Sequence, residues 1–410
     1  MALGMLALMV TLAPSASHSQ TLEQAIRQAL ADYPGIRAAS SSIDSAQAEI
    51  DRAKGALMPT LSLNASANHI DGNSAGQSRV ATPWLSWSAP INGRVEAEVE
   101  RVESSARAAR AKLKVTQDDI ALQVAEAWLA VVRGLQLVQI ARANVAEHED
   151  ILGDVRKIVA IDAGRSLDLT QAQVRLDAAQ SNLVQRQAEL AQAREKLARF
   201  VATNADEARF ASYPPLPQTI PATESQAVSQ IASPALAQAR AQVEEAQARV
   251  LGASRLKNPT LDFTAGRQFL GAIAGTHSVV TAQFSLPIYQ GGQIDAAVRS
   301  ASAQLAAAQD TVRELELVVQ ERVRIGYADW NAAKERLQIA SRQRESGARL
   351  STGYREQFRL ARRTLLDLLN VQSELSSYQQ SEAAARFDDW IAQYRISAAI
   401  GQLAASVSAR

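Results

Sequence analysis

The chain has 410 residues, with 43 Lys and Arg against 42 Asp and Glu, so its formal net charge is +1. That balance carries no basic footprint for nucleic acid. The absence of Cys excludes disulfides, thiolate metal sites, a Cys nucleophile and a lipid-modified N-terminal Cys.

In chain order, the first feature is an apolar stretch, Ala2 to Ala13, followed by the small and polar residues Pro14 to Ser19. It predicts a signal peptide over residues 1–19, although no Lys or Arg precedes the apolar core. No later stretch has the unbroken apolar length of a membrane-spanning helix. An Ala- and Gln-rich helix is expected from Gly35 to Leu57. Next comes strict alternation: Leu61, Leu63, Ala65 and Ala67 against Thr60, Ser62, Asn64, Ser66 and Asn68. That period of two predicts a strand over about 60–69. A second strand over about 79–89 puts Ala81, Leu85, Trp87 and Ala89 on one face, with Asp71 to Gly76 as the hairpin turn.

From Gly93 to about Ile161 there is no Pro, which predicts a helix roughly 100 Å long at 1.5 Å per residue. After Ala163-Gly164-Arg165-Ser166 a further helix carries Leu169, Leu176, Leu183, Leu190 and Leu197 every seven residues. Ala172, Ala179, Arg186, Ala193 and Phe200 form a second row, and the two rows predict a closely packed coiled coil. Residues 203–230, with Pro214, Pro215, Pro217 and Pro221, read as a linker or equatorial segment.

The pattern then repeats. Pro59-Thr60-Leu61 returns as Pro259-Thr260-Leu261, and Pro34 as Pro234, each 200 residues on. Pro90-Ile91 matches Pro287-Ile288, and Gly93 matches Gly292. Gln139-Ile140-Ala141 matches Gln338-Ile339-Ala340, and Leu167-Asp168-Leu169 matches Leu366-Asp367-Leu368, each 199 residues apart. The chain is therefore a tandem duplication. Its parts are a first repeat over 20–202, the linker, a second repeat over 231–402 with strands at about 260–270 and 277–287, and a C-terminal tail over 403–410. Val298, Leu305, Val312 and Val319 carry a looser heptad in the second long helix.

Four strands of about ten residues have the length of membrane β-strands but cannot close a barrel alone. Open edges cannot face lipid, so the membrane reading needs several chains. A soluble four-stranded sheet covered by helices is the alternative. Catalysis has little support. His18, His69, His148 and His277 are scattered, no Gly-x-Ser-x-Gly occurs, and Gly291-Gly292 lacks the rest of a phosphate loop. No cofactor, no metal and no enzyme activity are expected.

The duplicated unit, Leu286-Pro287-Ile288-Tyr289-Gln290-Gly291-Gly292 and the stretch Tyr354 to Glu374 together resemble the TolC-like outer-membrane efflux and secretion channels. Within them the chain is most similar to members serving type I secretion. The resemblance implies a mainly α fold of long coiled-coil helices, duplicated in tandem, with a four-stranded membrane β contribution. It implies a homotrimer in the bacterial outer membrane, with a twelve-stranded β-barrel in outer-membrane lipid and a periplasmic α-helical barrel. A periplasmic adaptor and an inner-membrane transporter are the implied partners.

Type I protein secretion is the first expectation and small-molecule efflux the second. A secreted coiled-coil structural or adaptor protein is the rival of another class. The resemblance also places the tube's far end at the turns Gly164, Arg165, Ser166 and Leu360, Ala361. Asp367 and Asn370 fall where the family narrows its pore, and Arg362 and Arg363 fall beside them as gating or tip charges. Thr364 to Asp367 equally reads as a helix start, with Thr364 the cap. Asp168 is expected to cap its helix after Ser166. Trp87 is expected in a membrane girdle, and Trp84 at a strand–helix junction.

Overall fold

The computed structural model describes residues 21–70, 76–89, 91–201, 220–270 and 276–408. The expected signal peptide, most of the Pro-rich linker and the two hairpin tips lie outside them. The elements are α1 (Leu22–Asp32), α2 (Pro34–Gly55), β1 (Thr60–Ile70), β2 (Gly76–Ala89), α3 (Arg94–Ile161), a 3-10 turn (Ala163–Arg165) and α4 (Ser166–Ala198). There follow α5 (Glu224–Ser229), α6 (Pro234–Ser254), a 3-10 turn (Arg255–Lys257), β3 (Thr260–Leu270), β4 (Thr276–Ser285), α7 (Gln293–Arg359), α8 (Leu365–Ile400) and α9 (Leu403–Ser408).

Local chemistry explains several boundaries. Pro34 and Pro234 each occupy the first turn of a helix, where a missing N–H costs nothing. Thr21 and Gln24 exchange side-chain to backbone bonds at the start of α1. Both strand-to-helix turns end on glycine with positive φ, Gly93 at +67° and Gly292 at +79°. Inside α3 an 18-residue window reaches a mean hydropathy of 1.3. Val124, Ala125, Leu129 and Val131 are completely buried there, which is how a packed core helix uses such a stretch.

Contacts divide the chain into two units. One takes the described parts of Leu30–Ala121, Thr219–Ala328 and Arg395–Arg410. It holds an antiparallel sheet in the order β1-β2-β3-β4, so the two hairpins join through β2 and β3. Its helices follow the same order. Ile50 and Ala53 of α2 pack on Val102 and Ala106 of α3. Lys54 pairs with Glu103, Arg101 with Glu245 of α6, Arg107 with Glu244, and Arg240 with Glu316 of α7. The expected tail is folded: α9 buries Leu403, Ala404 and Val407, and the Ala404 N–H donates to Asp118 at 2.8 Å. Burial raises the Asp118 pKa, and that hydrogen bond opposes the rise.

The other unit takes the described parts of Met1–Ala29, Leu122–Gln218 and Asp329–Tyr394, and contains both helix-to-helix turns. The coiled-coil rows of α4 are buried at Ala172, Leu176, Ala179, Leu190, Ala193 and Leu197. Gly347 of α7 lies so close to Tyr378 of α8 that an added Cβ would come within 2.8 Å of the ring. β4 ends at Ser285, two residues before the expected 287.

Candidate functional site

Two sites come from the sequence, and each lies within one unit. In the sheet unit, the strand register aligns the alternating residues into two faces. Leu61 lies opposite Leu85, Leu85 opposite Ala265, and Ala265 opposite Val280. Trp87 lies opposite Phe263, and Phe263 opposite Ala282. This apolar face is open: Leu61 is 77 %, Leu63 71 %, Val280 81 % and Phe284 63 % exposed. Arg267 shares the face toward its hairpin end, where a long side chain can reach a polar boundary.

The opposite face is mainly polar, carrying Thr60, Ser62, Ser86, Ser88, Asp262, Thr264, Thr281 and Gln283, with Trp84 and Val279 as apolar members among them. Ser88 donates to Asp262 at 2.5 Å and Thr60 meets Ser86 at 2.7 Å. A sheet that turns most of its large apolar side chains to one face and its hydroxyls to the other is built for lipid on one face and water on the other.

Trp87 sits at the helix-proximal end of β2. Its ring stacks on Phe263 at 5.7 Å, and its Nε1–H donates to the Leu57 carbonyl at 3.0 Å. An apolar ring with one satisfied polar edge suits a membrane boundary. Trp84, expected at a strand–helix junction, instead lies across Gly266 of the neighbouring strand. A Cβ at 266 would run into its ring, so glycine makes room for the indole.

In the other unit, the structure brings the two turn regions together around one cavity of about 550 Å³. Arg165, Asp168 and Gln171 line it from the first turn, and Phe358 and Ala361 to Asp367 from the second. The first turn starts at Asp162, whose carboxylate accepts the Gly164 N–H at 3.0 Å. Arg165 donates to Asp168 at 2.8 Å, so Asp168 anchors an arginine rather than capping a backbone N–H after Ser166. Gly164 and Ser166 are exposed.

The second turn closes α7 differently. The Arg362 N–H reaches the Gln357 carbonyl at 2.8 Å and the Ala361 N–H reaches Phe358 at 2.9 Å. That pairing is a Schellman cap, whose left-handed position normally holds glycine. Here Ala361 occupies it with φ +56°. α8 then begins with a capping box: the Asp367 N–H donates to Thr364 Oγ1 at 3.2 Å, and the Thr364 N–H to Asp367 Oδ2 at 3.4 Å.

Asp367 stays partly exposed, with Arg363 at 4.0 Å. Arg363 also stacks over Tyr354 and donates to Gln357. The Asn370 side-chain oxygen accepts from Arg175 of α4 at 3.2 Å. The side chains of Leu360 and Arg362 are exposed. Beneath the turns, Phe358, Leu365, Leu368 and Leu369 close a core with Ile151, Leu152, Val155, Ala172 and Leu176.

Sequence reasoning missed the ion pairs that fasten α7 to α3 there. Arg355 bonds Glu147 at 2.7 Å, and Arg359 meets Asp154 at 3.4 Å. Their signal was present: Glu147, Asp150 and Asp154 recur at the spacing of one helical face. Close by, His148 is 3 % exposed and its Nδ1 has no hydrogen-bond partner among the described residues. Burial, reinforced by Arg175, holds its pKa below the ordinary value.

Comparison with known proteins gives the chain its family. The family model described as outer membrane efflux protein matches residues 25–203 and 228–402. The outer membrane efflux protein BepC of Brucella suis is 30% identical over 182 residues, which span 43% of this chain and 40% of that protein. The outer membrane protein TolC of Escherichia coli is 24% identical over 95% of this chain and 84% of its own. Among solved structures, the open state of the Neisseria gonorrhoeae MtrE outer membrane channel aligns with a TM-score of 0.81 at 18% identity, covering 93% of this chain and 89% of that one. The duplicated helical fold and the open apolar sheet agree with that placement: the chain belongs to the outer membrane efflux protein family, as a TolC-like outer-membrane channel with a periplasmic helical part and not an enzyme.

Proposed function

We propose that the protein works as a homotrimer, a passive duct from periplasm to exterior that is energised by an inner-membrane transporter through a periplasmic adaptor. The observation that carries this is the sheet itself. It has one exposed apolar face and two unpaired edges, and four strands cannot satisfy their backbone in lipid. Three copies supply twelve strands. The adaptor meets the turns Gly164, Arg165, Ser166 and Leu360, Ala361.

Type I protein secretion is the cargo reading, supported by the resemblance of Tyr354 to Glu374 to secretion members of the family. Small-molecule efflux is the second reading, favoured by the efflux description of both the family and BepC. Loss of secreted protein from the medium of a strain lacking the channel supports the first. Accumulation of a fluorescent dye with normal secretion supports the second.

Asp367 forms the constriction in this reading. Three copies around a threefold axis repel one another and attract cations, while each also caps its helix. Asn370, one turn on, extends the ring, and Arg362 and Arg363 tune the closed state. The test is single-channel recording in planar bilayers. Asp367→Asn, which retains capping capacity, is expected to weaken block by trivalent cations at least about tenfold, as loss of about 1.4 kcal/mol per site implies. Unchanged block places the constriction elsewhere.

A further inference from the structure

We infer that β4 of one protomer pairs with β1 of a second copy in a register copied from the β2–β3 pair, setting Leu286 opposite Leu63 and Ile288 opposite Leu61 of that copy. The inference rests on the homotrimer reading. Its basis is that β2 and β3 belong to different halves of the duplication. Their pairing is therefore already a contact between two repeat units, and a closed ring needs the same contact again between chains.

The register can be carried across. β1 maps to β3 with an offset of 200, from Thr60 to Thr260. For β2 and β4 the hairpins supply the offset. Thr60 faces Ser86 in the first, and Thr260 faces Ser285 in the second. Ser285 therefore stands where Ser86 stands, 199 residues on. The helices that follow agree, starting at Arg94 and Gln293. Inside the chain Trp87 faces Phe263 and Ala89 faces Leu261. Translated, Leu286 faces Leu63 and Ile288 faces Leu61.

All four of these leucine and isoleucine side chains are uncovered in the single chain, with Leu286 51 % and Ile288 92 % exposed. Pairing extends β4 past Ser285 to Ile288. Pro287 then lies one residue from the strand end, where a missing N–H is tolerated. A rival register exists. Matching Pro90 to Pro287, 197 residues apart, slides β4 by two and sets Phe284 opposite Leu63. Both registers keep the apolar side chains on one face, so alternation cannot choose between them.

The same translation shows that the seam between protomers lacks a fastening present inside the chain. There, Arg255 donates to the Gly93 carbonyl and Asn258 to the Asn92 carbonyl. The positions of Arg255 and Asn258 are taken in the first repeat by Gly55 and Met58, and those of Asn92 and Gly93 in the second by Gly291 and Gly292. Neither Gly291 nor Gly292 has a neighbour where a Cβ would stand. Exposed Met58 and Tyr289 supply apolar contact in place of the two hydrogen bonds.

The Cys-free chain makes the test clean. Directly opposed positions reach disulfide distance, while diagonal ones lie about 7–8 Å apart. The double variants L63C/L286C and L63C/F284C are purified in detergent and oxidised with copper phenanthroline. Covalent species are read on non-reducing gels, and subunit number is measured separately by light scattering. The register predicts covalent dimers and trimers from L63C/L286C, at least about fivefold more than from L63C/F284C. A65C/F284C is a second pair in the predicted register and is expected to behave like the first. Preferential closure of L63C/F284C, or no closure of any pair in a protein that scatters as a trimer, overturns the register and leaves the trimer standing. A monomer by light scattering overturns the trimer reading itself.

Discussion

The sheet and the helical turns bury opposite kinds of side chain. In the sheet, Leu61, Leu63 and Phe284 stand in the open while the hydroxyls of Thr60 and Ser86 bond each other. At the turns, Phe358, Leu365, Leu368 and Leu369 are inside, and Arg362, Arg363 and Asp367 are at the surface. Both regions obey one rule, that apolar surface leaves water. They differ in what replaces water. The turns cover their leucines with protein, and the sheet leaves its leucines for lipid.

Leucine substitutions should therefore part company between the two regions. Leu369 is 1 % exposed in the turn core, and Leu369→Ala is expected to cost about 2–5 kcal/mol in helical unfolding followed by circular dichroism. Leu63→Ala, made on the open face, should leave that transition within about 0.5 kcal/mol. Equal losses would mean that Leu63 is packed against protein.

Charge sharpens the contrast next. Leu63→Arg is expected to cost about 2–4 kcal/mol of barrel insertion, measured as folding into lipid vesicles, whereas Ser62→Arg on the polar face is expected to be tolerated. Indifference to both would remove the lipid assignment.

A smaller effect belongs to the second turn. Ala361 holds a left-handed position that favours glycine, so Ala361→Gly should gain up to about 1 kcal/mol in the unfolding of α7 and α8. Loss of stability would mean that the alanine methyl makes a contact worth more than its strain.

The smallest effect is a pH slope in the same unit. Burial keeps the His148 pKa in the folded chain below its ordinary 6.5. As pH falls through that value the unfolded chain takes up a proton that the folded chain refuses, so stability is lost below it and is flat above it. The difference between wild type and His148→Gln in thermal scans should be constant above about pH 6.5 and change with pH only below it.

What could be read from sequence follows from which signals are periodic. The strands were legible because alternation of Leu61, Leu63 and Ala65 with Ser62 and Asn64 admits little but a two-faced strand. The α4 seam was legible from its heptads, and the duplication tied the second half to the first. Thr364 and Asp367 announced a helix start, and the capping box is there. Contacts between distant segments were not legible. Nothing local in Arg355 names Glu147 as its partner, and Gly266 shows its purpose only beneath Trp84. The left-handed Ala361 was hidden because alanine carries no turn signal. The end of β4 was read two residues long because its alternation continues to Leu286, beyond the last partner a single chain provides.

The account turns on the open face of the sheet being the lipid face. The direct measurement places single cysteines along β1, at Leu61, Ser62, Leu63 and Asn64, and attaches a spin label to each in the protein reconstituted in lipid bilayers. Relaxation by oxygen, which concentrates in lipid, is compared with relaxation by a water-soluble nickel complex. The account predicts alternation, with oxygen dominating at 61 and 63 and the nickel complex at 62 and 64. Nickel dominating at all four positions would contradict it and return the sheet to water.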